Sequence, residues 1–219
     1  NDAPVFSGTG ASVSLVETAE ATDVVANSGD LTADGSFAFT DLDLTDNHSV
    51  TVTGVSPTGD IGSAAGNDIL DLMDVGIDPE TGDVTWTFTG PENMFDHLDD
   101  GDTLELVYTL TLTDGNTGGT ATQTVTITIQ GANDTPFIVA AGTDVDGEVT
   151  EAGVGALNAA APGVPEASGT IVADDVDAAA ELAFSGSAEG DFGSFVIDPV
   201  TGAWTYTLSQ AATDTLAQG

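Results

Sequence analysis

One phrase is written twice in this chain, as Ile77-Asp78-Pro79-Glu80-Thr81-Gly82 and again as Ile197-Asp198-Pro199-Val200-Thr201-Gly202. Each copy leads into an aromatic alternation, Trp86-Thr87-Phe88 and Trp204-Thr205-Tyr206, and each is preceded by an Asp-x-Asp pair, Asp41/Asp43 and Asp175/Asp177. Ordered self-similarity of this kind marks tandem modules and restricts the chain to a fold that can be repeated. The Asp-x-Asp pairs stand 134 residues apart and the turns 120 apart, so the first copy carries 14 extra residues, which fits an irregular loop with a helical turn over 57–74. Asn1-Asp2-Ala3-Pro4 and Asn133-Asp134-Thr135-Pro136 punctuate the copies. Asn and Asp tolerate tight turns and offer oxygen ligands, while Pro fixes its own φ and extends its predecessor, which suits a short stiff joint able to hold a hard cation. This predicts one module over 1–132 and a second over 133–219.

Within the modules the side-chain period is two. Leu104, Leu106, Tyr108, Leu110 and Leu112 face one way, and Val125, Ile127 and Ile129 repeat the pattern. Strands are also expected over 5–16, 35–40, 49–55 and 84–88, with turns at Asp78–Gly82 and Asp114–Gly119. About seven strands with almost no helix predict an all-β fold, an antiparallel β-sandwich in each module. The second copy stops at Leu216-Ala217-Gln218-Gly219, the counterpart of Leu98-Asp99-Asp100-Gly101, so its last two strands are expected either from continuation of the chain or from another chain. Continuation is the reading taken.

The charge narrows the partners. The 219 residues hold 37 acidic side chains, two histidines and no Lys, Arg or Cys. A chain without Lys or Arg has no lysine- or arginine-based means of neutralising phosphate, so no nucleic acid partner is expected, and an anionic membrane surface is disfavoured. No apolar run is long enough to span a membrane, so no membrane insertion is expected. Carboxylates that converge need a cation between them, and an oxygen-rich, sulfur-free inventory selects Ca²⁺.

The ordered set of motifs resembles the VCBS/cadherin-like repeats of large secreted bacterial adhesins, including RTX-type adhesins. It runs from Ser/Asp-Gly-x-hydrophobic and Asp-x-Asp, through Trp-Thr-Tyr/Phe-Thr and Tyr-x-Leu-Thr-Leu-Thr-Asp-Gly-Asn-x-Gly-Gly-Thr-Ala-Thr, to Gly-x-Asn-Asp-x-Pro. The resemblance implies cadherin/immunoglobulin-like modules with Ca²⁺ at each junction. At the internal junction it implies ligands from Glu17, from Asp99 or Asp100, from Asn133 and Asp134, and from Asp175 and Asp177. At the upper end of the first module it implies Asn1, Asp2, Asp41, Asp43 and Asp114, and it leaves Glu151 to a junction further along. The implied function is that of non-catalytic extracellular extender repeats that space a distal binding region from a bacterial surface for adhesion or biofilm attachment, with neighbouring repeats as partners. The alternative is a self-assembling extracellular filament or matrix in which copies of the chain share strands.

No catalytic constellation competes with this. Ser-His-Asp order, zinc motifs and phosphate loops are absent from the sequence. Paired carboxylates could serve a glycosidase, but these acids recur at repeated strand ends instead of marking one cleft. Trp86 and Trp204 recur at inward-facing positions and are expected in the core. His48 and His97 are expected at the surface, and the single Gly66-Asn67-Asp68-Ile69-Leu70 stretch is too short to stack as a calcium β-roll.

Overall fold

The computed structural model describes residues 1–19, 29–43, 45–64, 66–154 and 156–214, with the side chains of Asn67 and Ala156 excepted. The expected landmark at 216–219, residue 44 of the Asp41–Asp46 run and one residue of the 57–74 loop lie outside them. The described residues are all-β, with helix confined to short turns, and no helix among them is long and apolar enough to cross a membrane.

The chain divides into two compact units, Asn1–Thr135 with Val176–Ala179, and Pro136–Asp175 with Ala180–Gly219. The sequence places the break at 132/133. Hydrogen bonds draw the 176–179 segment into the first unit, where Ala178 N–H donates to the His97 carbonyl at 3.2 Å and Ala179 N–H to Asp99 Oδ2 at 3.1 Å, and the linker follows through Asp134 N–H to Asp177 Oδ2 at 2.8 Å.

In the first unit the strands are β1 (Val5–Phe6), β2 (Ala11–Val16), β3 (Asp30–Phe37), β4 (Phe39–Thr40) and β5 (Ser49–Thr58). A short helix α1 (Gly66–Leu70) precedes β6 (Met73–Ile77), β7 (Val84–Pro91), β8 (Thr103–Thr113) and β9 (Thr120–Gln130). One sheet has the order β2-β9-β8-β5 and another β3-β7-β6, while β1 pairs with β4. The leucines of β8 and the Val/Ile set of β9 are fully buried and share one core with Val84, Trp86 and Phe88 of β7. Phe88 meets Tyr108 edge to face at 6.2 Å, and the Tyr108 hydroxyl donates to the Ile69 carbonyl at 2.6 Å, which ties the 57–74 loop to the core. The expected purely antiparallel pairing is corrected at one place: β2 runs parallel to β9, with Val16 opposite Gln130. More than a hundred residues separate the two strands in sequence, so no tight hairpin dictates their relative direction.

The second unit has β10 (Phe137–Ile138), β11 (Gly153–Val154), β12 (Ala160–Ala161), β13 (Glu166–Thr170) and β14 (Ala173–Asp174). These are followed by β15 (Ser187–Gly190), β16 (Gly193–Ile197), β17 (Ala203–Leu208) and the helical turn α2 (Gln210–Thr213). Its main sheet has the order β13-β17-β16-β15, antiparallel throughout.

The repeated phrase folds the same way in both units. Asp78 Oδ1 accepts the Glu80 and Thr81 N–H groups, and Asp198 Oδ1 accepts those of Val200 and Thr201. The Thr201 bond first, then that of Val200, holds the Asp198 carboxyl below the usual range. Each turn closes on a glycine in the left-handed region, Gly82 at φ +79° and Gly202 at φ +68°.

Candidate metal centre

Both ends of the first unit collect carboxylates, and the strand register explains why. Ser49 of β5 lies opposite Thr113 of β8, so the approach to β5 and the turn after β8 meet at one end. There Asp41, Asp46 and Asp114 bring one carboxylate oxygen each to within 4.8 Å of one another. His48 Nε2 lies 2.9 Å from Asp41 Oδ2, and this bond above all holds the Asp41 carboxyl below its ordinary range. Asn1 Nδ2 donates to Asp114 Oδ2 at 3.1 Å, Asp2 N–H to Asp43 Oδ2 at 2.6 Å, and Asp43 N–H to Asp41 Oδ1 at 2.9 Å. Asn116 donates its N–H to Asp114 and its side-chain amide to Asp46. All five residues expected at this end are therefore together. Asp46, Asn116 and His48 join them; His48 is half-buried against Phe39, at 4.8 Å between ring centroids, where the sequence placed it at the surface.

The other end holds a more buried group. The parallel register of β2 on β9 ends at Val16 opposite Gln130, so Glu17 leaves its strand beside the linker, and Glu17 N–H donates to the Gln130 carbonyl at 2.9 Å. Thr103 of β8 is also opposite Gln130, which brings the 92–102 loop to the same end. Within that loop the buried Phe95 and Leu98 anchor the chain on either side of Asp96. Glu17, Asp96, Asp134 and Asp177 are 3, 7, 1 and 6 % exposed. Asp177 Oδ2 accepts the Asp134 N–H at 2.8 Å, and Glu17 Oε2 accepts the Ala132 N–H at 3.2 Å. The second glutamate oxygen, Oε1, is buried and accepts no hydrogen bond among the described residues.

Burial is the main force on Glu17. It pushes the carboxyl up from 4.5 to about 8, against the Ala132 N–H, with repulsion from Asp134, Asp96 and Asp177 adding to it. Four buried carboxyl groups thus share one end of the unit in a chain with no Lys or Arg, although among the described residues only Asp41, Asp46 and Asp114, at the other end, bring three carboxylate oxygens within 4.8 Å of one another. Gly131 keeps the linker close: a Cβ there would sit 2.2 Å from the Leu98 carbonyl oxygen.

Of the residues expected at the internal junction, Glu17, Asp134 and Asp177 come together in the first unit. Asp99 is half-buried and spends Oδ2 on Ala179 N–H, while Asp100 is exposed. Asn133 is exposed, and its side-chain amide donates to the Asp134 carbonyl. Asp175 belongs to the second unit, as does Glu151, which is exposed and raised above its ordinary pKa by desolvation and by a hydrogen bond to the Asp214 carboxyl. Asp96 and its neighbour Glu92 were not expected. The only sequence signal for Asp96 is its place between the apolar anchors Phe95 and Leu98, and Glu92 stands three residues before the first of them. Asp96 also lines an open cleft of about 520 Å³ with Asp68, Asn93, Met94 and His97.

No family model and no curated protein matches the chain. Among solved structures it is similar to an endo-fucoidan hydrolase from glycoside hydrolase family 107, with 13 % identity and a TM-score of 0.33, covering 95 % of this chain and 24 % of the hydrolase. It is also similar to the titin domains z1z2 in complex with telethonin, with 12 % identity and a TM-score of 0.32, covering 94 % of this chain and 81 % of that one. The chain thus spans about a quarter of the hydrolase's length.

Proposed function

We propose that this chain consists of tandem cadherin-like β-sandwich modules of the VCBS type, acting as non-catalytic extracellular extender repeats of a large secreted bacterial adhesin. Ca²⁺ stiffens the joints, and the repeats space a distal binding region from the cell for adhesion and biofilm attachment. The observation that carries this reading is the buried Glu17 carboxyl, with Oε1 lacking a hydrogen bond among the described residues, facing the fields of Asp134, Asp96 and Asp177 in a chain without Lys or Arg. A cation bound there would be held by the linker residue Asp134 and by segments far apart in sequence. Its binding would stabilise only the folded arrangement, by about 2.7 kcal/mol at a hundredfold excess over Kd.

One observation favours the second reading, a self-assembling filament or matrix whose copies share strands. In the second unit an open apolar groove of about 400 Å³ is lined by Val149, Ile171, Phe195, Trp204 and Tyr206. In the first unit the counterparts Trp86 and Phe88 lie under β8 and β9.

A Ca²⁺ titration read by melting temperature and by sedimentation velocity on the same sample tests both. Extender repeats gain several degrees of melting temperature at millimolar Ca²⁺ or below and remain monomeric. Concentration-dependent polymers favour the filament, and a melting temperature unmoved by Ca²⁺ after exhaustive chelation sinks the calcium assignment.

A further inference from the structure

We propose that Glu92 is a positioning residue of the buried carboxylate centre, a clamp that ties the Glu17 segment to the turn carrying Asp96. The inference rests on the cation reading of that centre. Glu92 opens the 3₁₀ turn Glu92–Met94 and is 7 % exposed, an unusual place for a carboxylate in a chain without Lys or Arg. Its Oε1 accepts the N–H of Thr18, the residue directly after Glu17, at 2.8 Å. Its own N–H donates to the Gly29 carbonyl at 3.1 Å, and its Oε2 fills the space a Gly29 side chain would need, 2.8 Å from the position of a Cβ. Its carbonyl accepts the Phe95 N–H at 2.9 Å, one residue before Asp96.

Glu17 is therefore fixed on both sides, through its own N–H to Gln130 of β9 and through the next N–H to Glu92. The same Glu92 peptide sets the start of the loop that buries Asp96. Groups that orient cation ligands in this way typically govern affinity by about 10–100-fold without touching the ion. The bond to Thr18 needs an acceptor at the right reach and does not need a negative charge.

The test pairs Glu92→Gln, which keeps reach and loses charge, with Glu92→Asp, which keeps charge and loses reach. Ca²⁺ affinity is measured by calorimetry on the whole chain, and exchange of the Thr18 amide is measured in EDTA. Glu92→Asp should weaken Ca²⁺ binding about tenfold and speed Thr18 exchange by a similar factor, whereas the Gln variant should restore both to within about twofold of the parent. Loss in the Gln variant with retention in the Asp variant would mean that the charge acts on the ion directly, and overturns the clamp. Equal affinities in all three proteins, or equal loss in both variants, overturn it as well. If the parent chain itself binds no Ca²⁺, the cation reading falls and the clamp with it. The Thr18 exchange then still reports whether the hydrogen bond exists.

Discussion

A buried glutamic acid in a chain without Lys or Arg can hold a proton or lie beside a cation. For Glu17 the choice depends on pH. Its carboxyl is raised to about 8 in the folded protein from 4.5, so between those values the folded state binds the proton that the unfolded state releases. The sign follows: stability from this group is fully present below about 4.5 and is lost as pH rises through 8. Without Ca²⁺, the melting temperature should therefore fall between pH 5 and 8.5, and Glu17→Gln should flatten that slope. With Ca²⁺ the order reverses. The parent becomes the more stable protein at pH 8, while the Gln variant loses an order of magnitude or more in affinity, both readable by calorimetry. A slope identical in parent and variant would count against this role for Glu17. Glu17, Asp134 and Asp177 were expected at one junction through the resemblance to cadherin-like repeats, the last two on the repeated Asn-Asp-x-Pro and Asp-x-Asp motifs. Asp96 was not, because only the burial of Phe95 and Leu98 turns its carboxyl inward, and neither contact is local in sequence.

Elements were easier to read than their directions. Alternation located the buried faces of β7, β8 and β9 because one face of each strand packs inward, and a slip by one residue would reverse every side chain. The parallel seating of β2 carries no such mark, yet it is what delivers Glu17 to the linker end. A second feature emerges only from pairing. Gly35 lies across from Trp86, and Gly169 across from Trp204, so each indole covers a bare backbone. A Cβ on Gly35 would come within 2.6 Å of the Trp86 ring, and one on Gly169 within 2.3 Å of the Asp144 carbonyl oxygen and 2.7 Å of Trp204 Nε1. Gly35→Ala and Gly169→Ala should each cost about 1–3 kcal/mol by overpacking, measured by urea denaturation. Each loss should appear in the unfolding of its own unit. Neutral substitutions would mean that the indoles can move aside, and the repeated pair would then lack the packing role assigned to it.

At the scale of the whole chain, 37 acids face no Lys or Arg, so self-repulsion opposes folding wherever it is not screened or bound. Screening and binding leave different signatures. Sodium chloride acts on all the exposed carboxylates by shortening the Debye length to about 10 Å at 0.1 M, and its effect should rise smoothly with ionic strength. Ca²⁺ at a specific centre should saturate at far lower ionic strength. Mg²⁺ at the same concentration should reproduce the screening part alone, because it demands a tight octahedral shell and keeps its waters. Melting curves in EDTA with increasing NaCl, then with equal ionic strengths of MgCl₂ and CaCl₂, separate the two contributions. The expected outcome is a modest common rise for all salts and an additional, saturating rise for Ca²⁺ that Glu17→Gln abolishes. Coincident curves for Mg²⁺ and Ca²⁺ would leave the acids as a solvated, screened surface, and Glu17 would then stay buried by holding its own proton.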